Sequence, residues 1–194
     1  MNVRLDHPLA RSDDTRLLVF DADLYKRLTL AGAFVDAGRV ELIDGVIIQM
    51  NAQAVPHMRV KGDLAYRLRR AIDDLGLSLR VDQEGSVQLS NMSVPEPDIL
   101  IWDGVATTGF VDGRSVVLIV EVADTTLAKD LTLKAELYAA AGVPEYWIAD
   151  VNGRAIHRYS SAREDGYGAR AIFRFGEQID SVAIPGLGID LGDL

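Results

Sequence analysis

The sequence contains no cysteine. That excludes disulfide scaffolds, cysteine-ligated zinc and thiol nucleophiles. Only three histidines are present, His7, His57 and His157, widely scattered. Any metal would therefore need oxygen ligands, which points to Mg²⁺, Mn²⁺ or Ca²⁺ rather than zinc. No apolar run approaches the ~20 residues of a membrane span, and the most apolar stretch, Val116 to Val120, stops at Glu121. The N-terminal MNVRLDHPLARSDD has no apolar core after a basic start, so no secretory signal is expected. A cytoplasmic protein without a membrane partner fits these absences. Repeats, Gly/Ser linkers, P-loops and dinucleotide-type glycine patterns are also missing. Basic residues are the minority, 20 against 29 acidic ones, for a net charge of −9. Such a balance opposes non-specific coating of nucleic acid and leaves room for a local basic groove.

What is present is an ordinary globular composition, with 48% hydrophobic and 25% charged residues in 194. It rules out a disordered chain, a collagen or a coiled-coil rod. The length suits one domain, taken as 19–194 after a polar, poorly ordered tail at 1–18. Ser160 to Gly168 is the one polar stretch of linker type, short enough for a hairpin loop.

Asp21 and Asp23 predict the cap of a short helix through Leu30. Val40–Ile43 and Val46–Ile48 flank Asp44-Gly45, the strongest short hairpin signal. Residues 57–75 predict a helix whose stripe holds His57, Val60, Leu64, Leu68, Ala71 and Leu75, with Arg59, Lys61, Arg67, Arg69 and Arg70 largely off it. Strands are expected at 79–81, 86–89, 99–102, 116–122, 146–149, 156–159 and 171–175. A helix over 127–141 should be closed by Gly142, and a turn is expected at Pro185–Gly188. The mixture of helices and hairpins predicts an α/β (α+β) fold with a central mixed β-sheet flanked by helices.

Several charged side chains sit where apolar ones are expected. Glu121 interrupts an apolar strand, sharing a face with Val117 and Ile119. It is either a strand-end acid reaching solvent or a paired or metal-bound carboxylate. Asp98 opens the strand after Pro97; alone it reads as a turn aspartate. On neighbouring strands, Asp98 and Glu121 would meet at one rim of the sheet, where a divalent cation relieves their repulsion. Lys134 falls at the centre of its helix stripe, with Leu127, Leu131, Leu137, Tyr138 and Ala141 within about 60° of it, whereas Lys129 lies about 140° away on the solvent face. A lysine at that centre needs an acidic partner or a functional cleft, unless it snorkels from the helix edge. Glu41 in the first hairpin strand is an exposed edge glutamate or a further metal ligand. His57 opens its helix as a core, capping or accessory residue. The constellation expected is one cleft holding Asp98, Glu121 and Lys134, with Glu41 and His57 at its rim. It suits phosphodiester hydrolysis, with Mg²⁺ polarising the phosphate and acidifying a water and Lys134 orienting that water or stabilising transition-state charge.

Glu41-Leu42-Ile43-Asp44-Gly45, Val94-Pro95-Glu96-Pro97-Asp98, Ile119-Val120-Glu121-Val122, Lys134 to Tyr138, and Gly142-Val143-Pro144-Glu145-Tyr146-Trp147-Ile148-Ala149-Asp150 resemble the Uma family of restriction endonucleases, over about residues 20–190. The resemblance implies the PD-(D/E)XK nuclease superfamily, a restriction-endonuclease-like fold and Mg²⁺- or Mn²⁺-dependent cleavage of DNA. It matches Asp98 to the PD aspartate and Glu121 to the acid of the second motif, with Glu41 as a further candidate ligand and His57 and Tyr138 as accessory residues. The superfamily lysine two residues after the acid is Ala123 here, and the family places its lysine on the next helix, at Lys134. Ala123-Asp124-Thr125 stands where the family more often has Leu-Ser-Pro. Three functions compete: a DNA endonuclease, expected as a homodimer; a binding or assembly module that keeps the fold, with Glu121 and Lys134 as a buried ion pair; and a hydrolase of another phosphate ester. Between Arg59 and Arg80 six basic residues face three acidic ones, a candidate DNA contact, although most such runs are solvated faces.

Overall fold

The computed structural model describes residues 18–104, 108–192 and 194. The expected N-terminal tail falls almost wholly on 1–17, outside those residues.

Helix α1 (Ala22–Leu30) starts at Asp21, whose carboxylate accepts the Leu24 N–H at 2.7 Å. Strands β1 (Val40–Ile43) and β2 (Val46–Gln49) form the hairpin. Its two turn residues, Asp44 and Gly45, take φ of 49° and 79°, as a type I′ turn requires. The Gly45 N–H donates to the Met92 carbonyl and its carbonyl accepts from Phe20. A Cβ at Gly45 would lie 2.7 Å from Met92 Cε and 2.9 Å from Val19 Cβ. Gly45→Ala is therefore expected to lower stability by about 1–3 kcal/mol through overpacking and backbone strain. Urea denaturation against the parent checks this, and an unchanged midpoint would contradict the tight approach.

Helix α2 (Val55–Asp74) follows, then β3 (Arg80–Gln83), β4 (Val87–Gln88), β5 (Ile99–Trp102), β6 (Val111–Asp112) and β7 (Val116–Ala123). The predicted 127–141 helix is divided into α3 (Leu127–Lys129), a π-helical stretch (Asp130–Lys134) and α4 (Ala135–Ala140). Gly142 closes it at φ 78°. Strands β8 (Glu145–Asp150), β9 (Ala155–Arg163), β10 (Gly166–Arg174), β11 (Gln178–Asp180) and β12 (Gly188–Asp190) complete the chain. The expected loop at 160–168 is mostly strand, because β9 and β10 pair through Arg163 and Gly166 and leave only Glu164-Asp165 as the turn.

The central sheet has six strands in the order β10-β9-β8-β7-β5-β3. It is mixed: β7 and β8 are parallel and the other pairs antiparallel. Helix α2 covers one face, burying Val60, Leu64, Leu68 and Ile72 against Ile99, Ile101, Leu118, Val120 and Trp147. The α3–α4 run covers the other, with Ala135 and Tyr138 against Leu100, Ile119, Tyr146 and Ile148. Coverage on both faces explains why β5 and β8 read as continuous apolar runs instead of alternating ones. Val117, expected to share the Glu121 face, packs with the α2 layer, because the β5–β7 register shifts between Ile101 and Trp102. Among the described residues no helix is long and apolar enough to cross a membrane.

Candidate active site

A cavity of about 270 Å³ opens at the end of the sheet where β5 begins and β7 finishes. Two Pro residues precede Asp98 and hold the approach to β5 extended. The β1–β2 hairpin is pinned to this segment by a two-way backbone bridge between Leu42 and Val94, at 3.1 and 2.7 Å. Leu42 then packs inward with Tyr25 and Val94, and neighbouring Glu41, pointing to the opposite side of its strand, lines the cavity.

Asp98 and Glu121 meet across β5 and β7. Asp98 Oδ2 accepts the Val122 N–H at 2.9 Å, and Glu121 Oε2 accepts the Asp98 N–H at 3.3 Å. Lys134 reaches them from the π-helical stretch, with Nζ 3.3 Å from Glu121 Oε1 and 2.6 Å from Glu41 Oε2. Tyr138 donates its hydroxyl to Glu121 Oε1 at 2.6 Å. His57 Nε2 lies 3.0 Å from Asp98 Oδ1. All six residues expected from the sequence thus belong to one cluster. Glu41 is central instead of at the rim, only 1% exposed, and both its oxygens are taken by lysines.

One of those lysines is Lys129, which corrects the helical projection. Its Nζ lies 2.9 Å from Glu41 Oε1, with the side chain 38% exposed. The projection assumed 3.6 residues per turn throughout, which separates positions five apart by about 140°. The π-helical bonding over Asp130–Lys134 spans five residues per bond and brings Lys129 and Lys134 towards one face.

Three further residues were not anticipated. Asp130 is buried, lines the cavity and accepts from the Thr126 hydroxyl at 2.6 Å. It precedes Lys134 by four residues, so helical spacing could have found it. Lys61 was placed off the α2 stripe but is buried, hydrogen-bonded to Gln53 and Glu84, with Nζ 3.9 Å from Asp98 Oδ1. It follows His57 by four residues, the same available signal. Gln53 donates to Asp98 at 3.3 Å from an irregular segment, for which no sequence pattern exists. By contrast, Glu145 is a structural carboxylate: it is fully buried and accepts from Trp147, Ser181, Val182 and Ala183.

The cavity wall holds five carboxylates, Glu41, Asp98, Glu121, Asp124 and Asp130, against two lysines and His57. Burial pushes Glu121 up to about 7, with Asp98 and Asp130 adding to the rise against Lys134 and Tyr138. Burial likewise raises Asp130. Burial opposes charge on Lys134, but Glu121 and Glu41 outweigh it and hold the ammonium above its ordinary range. For Glu41 burial works upward, and the two lysines win and lower it. The folded state thus binds a proton on Glu121 more tightly than the unfolded chain does. Its stabilisation is full below the ordinary 4.5 and is lost as pH rises to about 7, because stability falls wherever the native state binds more protons. In metal-free buffer, Glu121→Gln is expected to flatten the decline in melting temperature across that window. An identical pH profile for variant and parent would show that Glu121 does not titrate there.

A mixed sheet with two carboxylates at adjoining strand ends and a lysine from the next helix defines a nuclease-type α/β fold. The chain belongs to the Uma2 family, whose model, described as a putative restriction endonuclease, matches residues 22–192. It is similar in structure to a protein from Anabaena variabilis ATCC 29413, described as a putative nuclease belonging to DUF820. The TM-score is 0.58 at 14% identity, covering 78% of this chain and 87% of that one. At that identity the likeness concerns the fold. No curated protein matches the chain.

Proposed function

We propose that this protein is a divalent-metal-dependent endonuclease that hydrolyses DNA phosphodiester bonds in the Asp98–Glu121–Lys134 cavity. The observation that carries the reading is the acid pair on adjoining strands, wedged against a buried lysine in a cavity with excess negative charge. Asp98 and Glu121 are the residues that would hold Mg²⁺ or Mn²⁺. Among the described residues no group of three His, Asp or Glu side chains forms a ligand set. Two carboxylates completed by water and substrate oxygens match the usual habit of Mg²⁺. When bound, such an ion neutralises phosphate charge and makes a water more acidic.

The side chains supply the rest. An ammonium has three donors; Glu41 and Glu121 take two on Lys134, leaving one for a phosphate oxygen or the attacking water. Because its partners hold the ammonium charged, Lys134 stabilises developing negative charge and does not serve as the base. Tyr138 and the Asp98 N–H fix the Glu121 carboxylate, and His57 and the Val122 N–H fix Asp98. Cutting both strands of a duplex calls for two such sites, which a symmetric homodimer would provide.

The test is incubation of purified protein with supercoiled plasmid and with single-stranded DNA, in Mg²⁺, Mn²⁺ or EDTA. Nicking is expected with either ion and none in EDTA, alongside a rise in melting temperature on adding Mn²⁺. Absence of both effects would overturn the proposal and leave the fold as a module held by its buried ion pairs.

A further inference from the structure

The sheet end that carries the candidate site also carries a group of arginines that form no ion pair among the described residues. The β8–β9 hairpin, 151–154, is fastened to the site wall. Val151 donates its N–H to the Ala123 carbonyl at 3.0 Å. Asn152 Nδ2 donates to the Asp124 carbonyl at 2.6 Å and carboxylate at 3.1 Å. Beside this hairpin lies a second hollow, about 390 Å³, lined by Arg59 from α2 and Arg154 from the hairpin. The start of α2 separates the two spaces: Ala54 and His57 line the first, Val55, Pro56 and Arg59 the second. Arg174 ends β10, paired with Ala155, and its Nη1 lies 3.5 Å from the Gly153 carbonyl.

Arg70 and Arg114 pair with acids near them in sequence, and Arg39 with Glu84 and Glu96. What sets Arg59, Arg154 and Arg174 apart is their place, together at the end of the sheet that carries the candidate site. Among the described residues Arg59, Arg154 and Arg174 form no ion pair, even though Asp63 and Leu194 line the same hollow. Arg154 also occupies a left-handed backbone position, φ 48°, where a glycine would sit without strain. Its guanidinium lies 5.3 Å over the Phe175 ring, a stack that holds the fork in place while its edge donors stay free.

We propose that Arg59, Arg154 and Arg174 form a phosphate track that grips the backbone of duplex DNA beside the scissile bond. The inference rests on the nuclease reading of the neighbouring cavity. Guanidinium forks suit phosphate oxygens, and a local track is what lets a chain of net negative charge hold a polyanion.

The test is binding of a fluorescent duplex by anisotropy across a salt series, with EDTA present so that no cleavage intervenes. The variant is Arg59→Ala/Arg154→Gly/Arg174→Ala, where glycine relieves the backbone at 154. The control is Arg80→Ala/Arg163→Ala, exposed positions at the opposite end of the sheet. Melting temperatures confirm folding of both. Each phosphate contact contributes about 0.9 to the slope of log K against log salt. The triple variant should therefore lose roughly 2–3 from that slope and bind about tenfold or more weakly at moderate salt, by the same counterion argument. The control should stay within about twofold of the parent. Parent binding with an unaffected triple variant, or equal losses in variant and control, would overturn the track alone. A parent that neither binds duplex DNA nor cleaves it with Mg²⁺ or Mn²⁺ would overturn the nuclease reading, and the track with it.

Discussion

Asp98→Asn and Glu121→Gln are each expected to reduce metal-dependent cleavage by about 10³-fold or more, because each removes one of two carboxylates that would hold the ion, and that ion is worth several kcal/mol to the transition state. The changes keep side-chain shape, so acceptors remain for Val122 and for Tyr138. Both variants should therefore fold, with far-ultraviolet circular dichroism like the parent. Glu121→Gln also removes a buried carboxylate from beside Asp98 and Asp130, which relieves like-charge repulsion. Plasmid-nicking rates with titrated Mn²⁺ provide the measurement. Cleavage that survives either change at ordinary metal concentration would place the ion elsewhere in the cavity.

Lys134→Met is expected to lower cleavage by ~10²–10³, the usual worth of a preorganised donor to developing negative charge. Methionine keeps length and packing, but Glu41 loses its buried partner, so stability should also fall. Lys129→Met is the informative companion. A helix of uniform period would make Lys129 a bystander, whereas its contact with Glu41 gives it a supporting part. A partly exposed ion pair contributes up to about 1 kcal/mol, or roughly fivefold in rate if all of it reaches the transition state. Single-turnover rates on both variants decide the matter. A larger loss at Lys129 than at Lys134 would reverse the assignment of the two lysines.

The two lysines also show where sequence reading stops. Lys134 was legible as a charge at the centre of an apolar stripe, and Glu121 as a charge within an apolar strand. Both are local anomalies that one-dimensional spacing exposes. Lys129 and Lys61 were misplaced for different reasons. The π-helical stretch, whose Asp130 carbonyl accepts from the Tyr146 hydroxyl at 3.3 Å, is not announced by anything in the local composition. Lys61 belongs on the α2 stripe by the ordinary helical period, about 40° from His57, and its buried ammonium is satisfied by Glu84 and Gln53 on other segments.

By itself the sequence determined most of the central-sheet strands, the helices near α1 and α2, the Asp44-Gly45 hairpin, the absence of thiol and cysteine–zinc chemistry, and the acids and lysine that the cavity unites. Those features follow from hydrophobic period, turn chemistry and residue type, all local along the chain. The sequence did not determine the short strands β6, β11 and β12 or the division of the 127–141 helix. Only the tertiary structure decided that Glu41 lies deep in the cavity between two ammonium groups, that Asp130 joins the carboxylate cluster, and that Arg59, Arg154 and Arg174 gather at the same end of the sheet. Each depends on strand order and on segments far apart in sequence, and the charge balance of a buried site exists only once the fold has removed those groups from water.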